Sequence, residues 1–99
     1  MRVEFGNNQL RRAYEASALA TRRWGTAVGR KYIQRMEVLY AATDFEVVKG
    51  LRSLRPHPLE GKREGQWGLD LTDRWRLIVT PSEDGKAVTI EEVTNHYGD

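Results

Sequence analysis

The stretch from Trp67 to Thr80, Trp-Gly-Leu-Asp-Leu-Thr-Asp-Arg-Trp-Arg-Leu-Ile-Val-Thr, decides the fold. Trp67 to Leu71 reads as one strand, Thr72-Asp73 as a tight turn, and Arg74 to Thr80 as a second strand. Successive strand side chains point to opposite faces. Trp75, Leu77 and Val79 therefore share one face, while Arg74, Arg76 and Ile78 share the other. The apolar face needs a cover, and helices upstream can supply it.

Downstream, Pro81 to Gly85 has turn chemistry, and Lys86 to about Thr94 reads as a final strand. At the other end, Val3 and Phe5 alternate with Arg2 and Glu4 in a short first strand. Asn7 or Asn8 can cap a helix running from Gln9 to Trp24. Leu10, Ala13, Tyr14, Ser17, Thr21 and Trp24 lie on one arc of it, opposite Arg11, Arg12, Arg22 and Arg23. Gly25 breaks that helix and Thr26 starts another, whose apolar face is Val28, Tyr32, Ile33, Met36, Leu39 and Tyr40. So short a turn makes the two an antiparallel hairpin. Thr43-Asp44-Phe45-Glu46 has capping-box spacing and opens a short third helix that Gly50 can close. Arg52 to Gln66, with two prolines and two glycines, reads as a long loop of the kind that often carries function. The expected architecture is α+β: an N-terminal strand, then a helical hairpin and a short helix packed on one face of an antiparallel-rich sheet. Residues 1–99 are expected to form a single domain.

Composition narrows the chemistry. Cysteine is absent, which excludes disulfides, thiolate metal sites and cysteine nucleophiles and fits a reducing cytoplasm. No apolar run approaches the ~20 residues of a membrane helix, and no signal-peptide core opens the chain. A chain of 99 residues is too small for a deep pocket, so a site should be a shallow groove open to a large substrate. The net charge is only +2, but it is segregated. Seven basic residues between Arg11 and Arg35 face one acid, Glu15, and seven more between Lys49 and Arg76 face Glu60, Glu64, Asp70 and Asp73. From Glu83 onward the balance is acidic. Such segregation fits a polyanion footprint or solvated helix faces.

Arg74 and Arg76, at i and i+2 on one strand, would stand about 7 Å apart, near the spacing of successive phosphates. The alternative is an ion pair to Asp70 or Glu91. In the loop, His57 sits between Pro56 and Pro58, close to Arg55, Lys62 and Arg63. The prolines hold it extended, and imidazole can trade protons near neutrality. His96, beside Tyr97, is the second of two histidines in the chain. Histidine, tyrosine, arginine and lysine around one phosphate suffice for RNA cleavage without metal: a base for the 2′-OH, cations for the phosphorus, an acid for the leaving oxygen. No acidic pair has metal-ligand spacing, and no cofactor is expected.

The segment Arg55 to Leu71, continuing into Arg74-Trp75-Arg76-Leu77-Ile78, resembles the HigB-type killer proteins of the RelE/ParE superfamily. Their pattern is roughly H-x-L-K-G-x-x-x-G-Q-aromatic, followed by a strand with aromatic-Arg-Leu-Ile. The ending Ile90 to Tyr97 resembles that family's terminal strand. The resemblance implies a RelE-like fold and the toxin of a type II toxin–antitoxin pair, an endoribonuclease that cleaves mRNA on the ribosome. A small helix-turn-helix, HigA-like antitoxin would neutralise it. His57 matches the family's loop histidine, Arg76 its transition-state arginine, and Asn95-His96-Tyr97 its terminal acid/base cluster. The implied catalytic set is His57, Arg76, His96 and Tyr97, with Arg55, Lys62, Arg63 and Arg74 drawing in RNA. Glu60 stands where many members have a catalytic lysine, and Lys62 or Arg63 is the expected substitute. The alternatives are a ParE-like gyrase poison, which needs no acid/base residues, and an inactive binding module.

Overall fold

A computed structural model describes residues 1–95. The chain runs through β1 (Arg2–Phe5), α1 (Asn8–Glu15), α2 (Ser17–Trp24), α3 (Thr26–Ala41) and α4 (Phe45–Lys49). It continues through β2 (His57–Pro58), β3 (Trp67–Asp70), β4 (Arg76–Pro81) and β5 (Ala87–Thr94), with 3-10 turns at Arg52–Leu54 and Gly61–Arg63. The five strands form one sheet in the order β1-β5-β4-β3-β2, with β1 parallel to β5 and the other pairs antiparallel. This is the α+β arrangement that the sequence predicts.

The hairpin at the centre forms with Leu69 opposite Leu77 and Asp70 opposite Arg76. Leu69, Leu77, Val79, Val88 and Ile90 bury their side chains in a core shared with Met36 and Leu39 of α3 and Phe45 and Val48 of α4. The helices therefore cover one face of the sheet. Tyr32 is fully buried, and its hydroxyl donates to the Leu10 carbonyl at 2.6 Å, tying α3 to α1. Burial pushes its pKa up. Gly29 lets α3 lie against α2, because a Cβ there would stand 3.0 Å from the Thr21 amide nitrogen.

Four local expectations are corrected. The helix expected from Gln9 to Trp24 is two helices, broken at Ala16, which is extended (φ −136°, ψ 102°). Past the break Ser17 and Thr21 are exposed while Ala20 is buried. The cap of α4 is Asp44, whose carboxylate accepts from the Val47 amide at 3.2 Å, so Thr43 does not play the part that the capping-box spacing gave it. The loop between Arg52 and Gln66 contains a strand, because His57 and Pro58 pair with Gly68 and Trp67. Finally, Arg74 is exposed in the turn and β4 begins at Arg76, so the two arginines do not form an i, i+2 pair on a strand.

Candidate active site

The face of the sheet turned away from the helices carries His57, Asp70 and Arg76. His57 lies opposite Gly68 across β2 and β3, Gly68 opposite Ile78, and Asp70 opposite Arg76. Alternation puts these residues on the face that Leu69 and Leu77 do not use.

Gly68 is the seat of the imidazole. A Cβ at this position would lie 2.7 Å from His57 Nε2 and 2.9 Å from Cε1, closer than side chains tolerate. With no Cβ in the way, the ring rests over the strand and reaches Arg76 Nη1 at 2.9 Å through Nε2. Its other nitrogen, Nδ1, lies 2.9 Å from the Arg55 carbonyl oxygen. A guanidinium only donates and a carbonyl only accepts. Nε2 is therefore placed to accept and Nδ1 to donate, the pattern of the tautomer protonated at Nδ1. Arg55 ends the first 3-10 turn in the left-handed region (φ 47°, ψ 54°), two residues before His57.

Asp70 gathers three arginines. Its carboxylate lies 3.5 Å from Arg55 Nε and 3.8 Å from Arg76 Nε. Its backbone carbonyl accepts from Arg35 Nε at 2.9 Å. Arg35 comes from α3 and is buried at 9% exposure. Burial lowers its pKa and the nearby Asp70 charge opposes that. Arg55, Pro56, His57, Asp70, Asp73 and Arg76 line an open cavity of about 560 Å³. Its two guanidinium groups can hold a phosphate with forked donors, and its imidazole can move a proton.

The fold thus brings His57, Arg76 and Arg55 together. It does not bring in the other expected cations. Arg63 is tied to Glu92 at 2.5 Å and to Gln66 at 3.1 Å, strapping the loop to β5. Lys62 is exposed on the same turn, and Arg74 is exposed on the β3–β4 turn. Glu60 precedes that 3-10 turn, exposed, and does not line the cavity. His96 and Tyr97 lie outside the described residues. Thr94, opposite Arg76 in the sheet, is two residues before His96 in sequence. Among the described residues no group of three or more His, Asp or Glu side chains could hold a metal ion, and no helix is long and apolar enough to cross a membrane.

Two residues of the site escaped sequence reasoning. Arg35 counted as one more basic helix residue, although it falls within the i, i+3, i+4 spacing of Tyr32, Met36 and Leu39. Gly68 alternates with Trp67 and Leu69, a register that pointed to the outer face without saying what lay above it. The ion pair from Arg76 to Asp70 is one of the two alternatives drawn from sequence; Glu91 is engaged by the Thr80 hydroxyl at 2.7 Å.

No protein-family model and no curated protein matches the sequence. Solved structures do match in shape. A YoeB/ParE toxin from Agrobacterium tumefaciens superposes with a TM-score of 0.66 at 18% identity, covering 98% of this chain and 100% of that one. YafQ from E. coli strain BL21(DE3) gives 0.64 at 20% identity, covering 94% and 91%. The toxin–antitoxin complex RelBE2 from Mycobacterium tuberculosis gives 0.53 at 16% identity, covering 96% of each chain. At these identities the likeness is one of fold, and the chain has the fold of the RelE/ParE-type toxins.

Proposed function

We propose that residues 1–99 act as one domain, the HigB-type toxin of a type II toxin–antitoxin pair, which cleaves mRNA on the ribosome in the cytoplasm without a metal. A helix-turn-helix, HigA-like antitoxin holds it in check. The observation that carries this reading is the 2.9 Å contact between His57 Nε2 and Arg76 Nη1, in an open cavity and on a toxin fold. An acid/base group and a phosphate-binding group in contact are what metal-free phosphoryl transfer to a 2′-OH requires.

In this mechanism the scissile phosphate enters beside Arg55 and Arg76. Arg76 turns from His57 to a phosphate oxygen, which frees Nε2 to take a proton from solvent. His96 or Tyr97 removes the proton of the 2′-OH, whose oxygen bonds to phosphorus as the bond to the 5′-oxygen breaks. Protonated His57 gives its proton to that departing oxygen. The products are a 2′,3′-cyclic phosphate and a 5′-hydroxyl. Lys62 and Arg74, both exposed, draw in flanking phosphates, and Arg63 holds the loop in place. Arg55 supplies the cation that Glu60 does not.

Expression of the chain alone, with 5′-end mapping of cellular mRNA, tests the reading. Cuts within codons support it; DNA damage without cuts points to gyrase, and neither outcome points to a binding module. Arg76→Ala should lower cleavage by about 100- to 1,000-fold, the usual cost of one transition-state donor, while still folding and binding antitoxin. Full toxicity in that variant overturns the assignment.

A further inference from the structure

We propose that Asp70 is a built-in competitor for the anion this site takes: its carboxylate occupies the seat between Arg55 and Arg76, and a phosphate group binds by displacing it. The inference deepens the ribonuclease reading and rests on it for the identity of the natural anion.

Carboxylate and phosphate offer a guanidinium the same thing, a negative pair of oxygens for forked donors. Asp70 fills that place, between Arg55 Nε and Arg76 Nε. It fills it loosely. Charge-assisted hydrogen bonds of this kind run about 2.7–2.9 Å, and these separations are 3.5 and 3.8 Å. Elsewhere on the same face Arg63 meets Glu92 at 2.5 Å, so the fold can make a tight pair where one is needed.

The carboxylate is also dispensable to the strand. The backbone of Asp70 is held by pairing with Arg76 and by Arg35, which bonds the carbonyl at 2.9 Å. Its position in β3 therefore does not depend on its charge. Charge balance points the same way. Along the cavity wall the Asp70 and Asp73 carboxylates offset the charges of Arg55 and Arg76. A carboxylate between two guanidinium groups weakens their attraction for an incoming anion, and its withdrawal strengthens it.

The opposing account makes Asp70 a support that aims Arg76. The two accounts predict opposite signs for one substitution. Asp70→Asn keeps the shape and removes the charge. A competitor makes this variant bind phosphate more tightly; a support makes it bind more weakly.

The experiment titrates inorganic phosphate into the ¹⁵N-labelled full chain, following the Gly68 amide and the arginine Nε–H signals, in the wild type, Asp70→Asn and Asp70→Ser. The expected result is about tenfold tighter binding in both variants, with each variant's melting curve confirming its fold. Asp70→Ser guards against a misfolded Asp70→Asn and against a new hydrogen bond from the amide. Binding that is unchanged, weaker or undetectable in the folded variants overturns the proposal. Ribosome-dependent mRNA cleavage by the same wild-type protein is scored separately. Cleavage with unchanged phosphate binding sinks the competitor and leaves the nuclease standing. Tighter binding without wild-type cleavage sinks the nuclease reading and leaves the competitor.

Discussion

Arg35 and Arg76 both meet Asp70, yet they meet different atoms and do different work. Arg35 arrives from the helical side, buried, and donates to a backbone carbonyl at 2.9 Å. Arg76 stands on the open face, its side chain one-quarter exposed, with the Asp70 carboxylate at 3.8 Å and the His57 ring at 2.9 Å. A carbonyl within a sheet is fixed by the strand, so a donor matched to it is locked. A carboxylate sits on a rotatable side chain, so a donor facing it stays free to exchange partners. One arginine thus belongs to the fold and the other to the site, although a single residue separates them.

The largest effect expected on stability comes from breaking the buried member. Arg35→Met keeps most of the volume and removes the charged donor, so it should cost about 2–3 kcal/mol in urea unfolding, within the range for a buried hydrogen bond to a charged group. Arg76→Ala, on the open face, should cost less than about 1 kcal/mol in the same assay. Equal losses in the two variants would show that the division between fold and site is false.

Next in size is Gly68→Ala, which attacks the contact on the open side without touching either arginine. The new methyl group meets the imidazole at 2.7 Å, and the ring has to move. It then loses Arg76, and Nε2 ceases to be a guanidinium-bound acceptor. Cleavage should fall about tenfold, in line with the cost of misplacing one catalytic group, with a stability change of about 1 kcal/mol. Nitrogen-15 shifts of the His57 ring, compared in the two proteins, read the contact directly. Unaltered shifts together with full activity would mean that the ring does not depend on the glycine.

How much of this was legible from sequence depends on whether the deciding force was local. Strict alternation in Trp67 to Leu71 and Leu77 to Val79 identified the hairpin, since strand periodicity is a property of the chain itself. Arg74 was misplaced because the turn runs longer than Thr72-Asp73, and Asp73 adopts φ 51° within it. The break at Ala16 carries no proline or glycine to announce it, so periodicity read straight through. Pairing of His57 with Gly68 joins residues eleven apart in sequence, and no single-segment pattern specifies it. The site shows the same limit. His57, Arg55 and Arg76 were singled out by residue type, and Asp70 entered only as one of two alternative ion-pair partners for the arginines. Glu60 drew attention as a departure from a motif, yet Asp70 is the carboxylate among the arginines, placed there by sheet register.

Arg55, the third arginine at Asp70, gives the smallest and most local test. It occupies the left-handed region at φ 47°, which costs a non-glycine residue roughly 1–2 kcal/mol. From that position its carbonyl accepts from His57 Nδ1 and its guanidinium faces the Asp70 carboxylate. Backbone strain and side-chain charge can be separated by two substitutions. Arg55→Ala and Arg55→Gly both remove the cation, but only glycine relieves the strain. Arg55→Gly should therefore be the more stable of the two by about 1 kcal/mol, after allowing for the freer unfolded chain. Both variants should bind phosphate equally weakly, because the charge is gone from each. If alanine and glycine melt together, the left-handed turn is unstrained and the His57 tautomer does not depend on it. If they differ in stability but agree in phosphate binding, Arg55 holds the ring through its backbone and the anion through its side chain, which combines in one residue the two kinds of work that Arg35 and Arg76 divide.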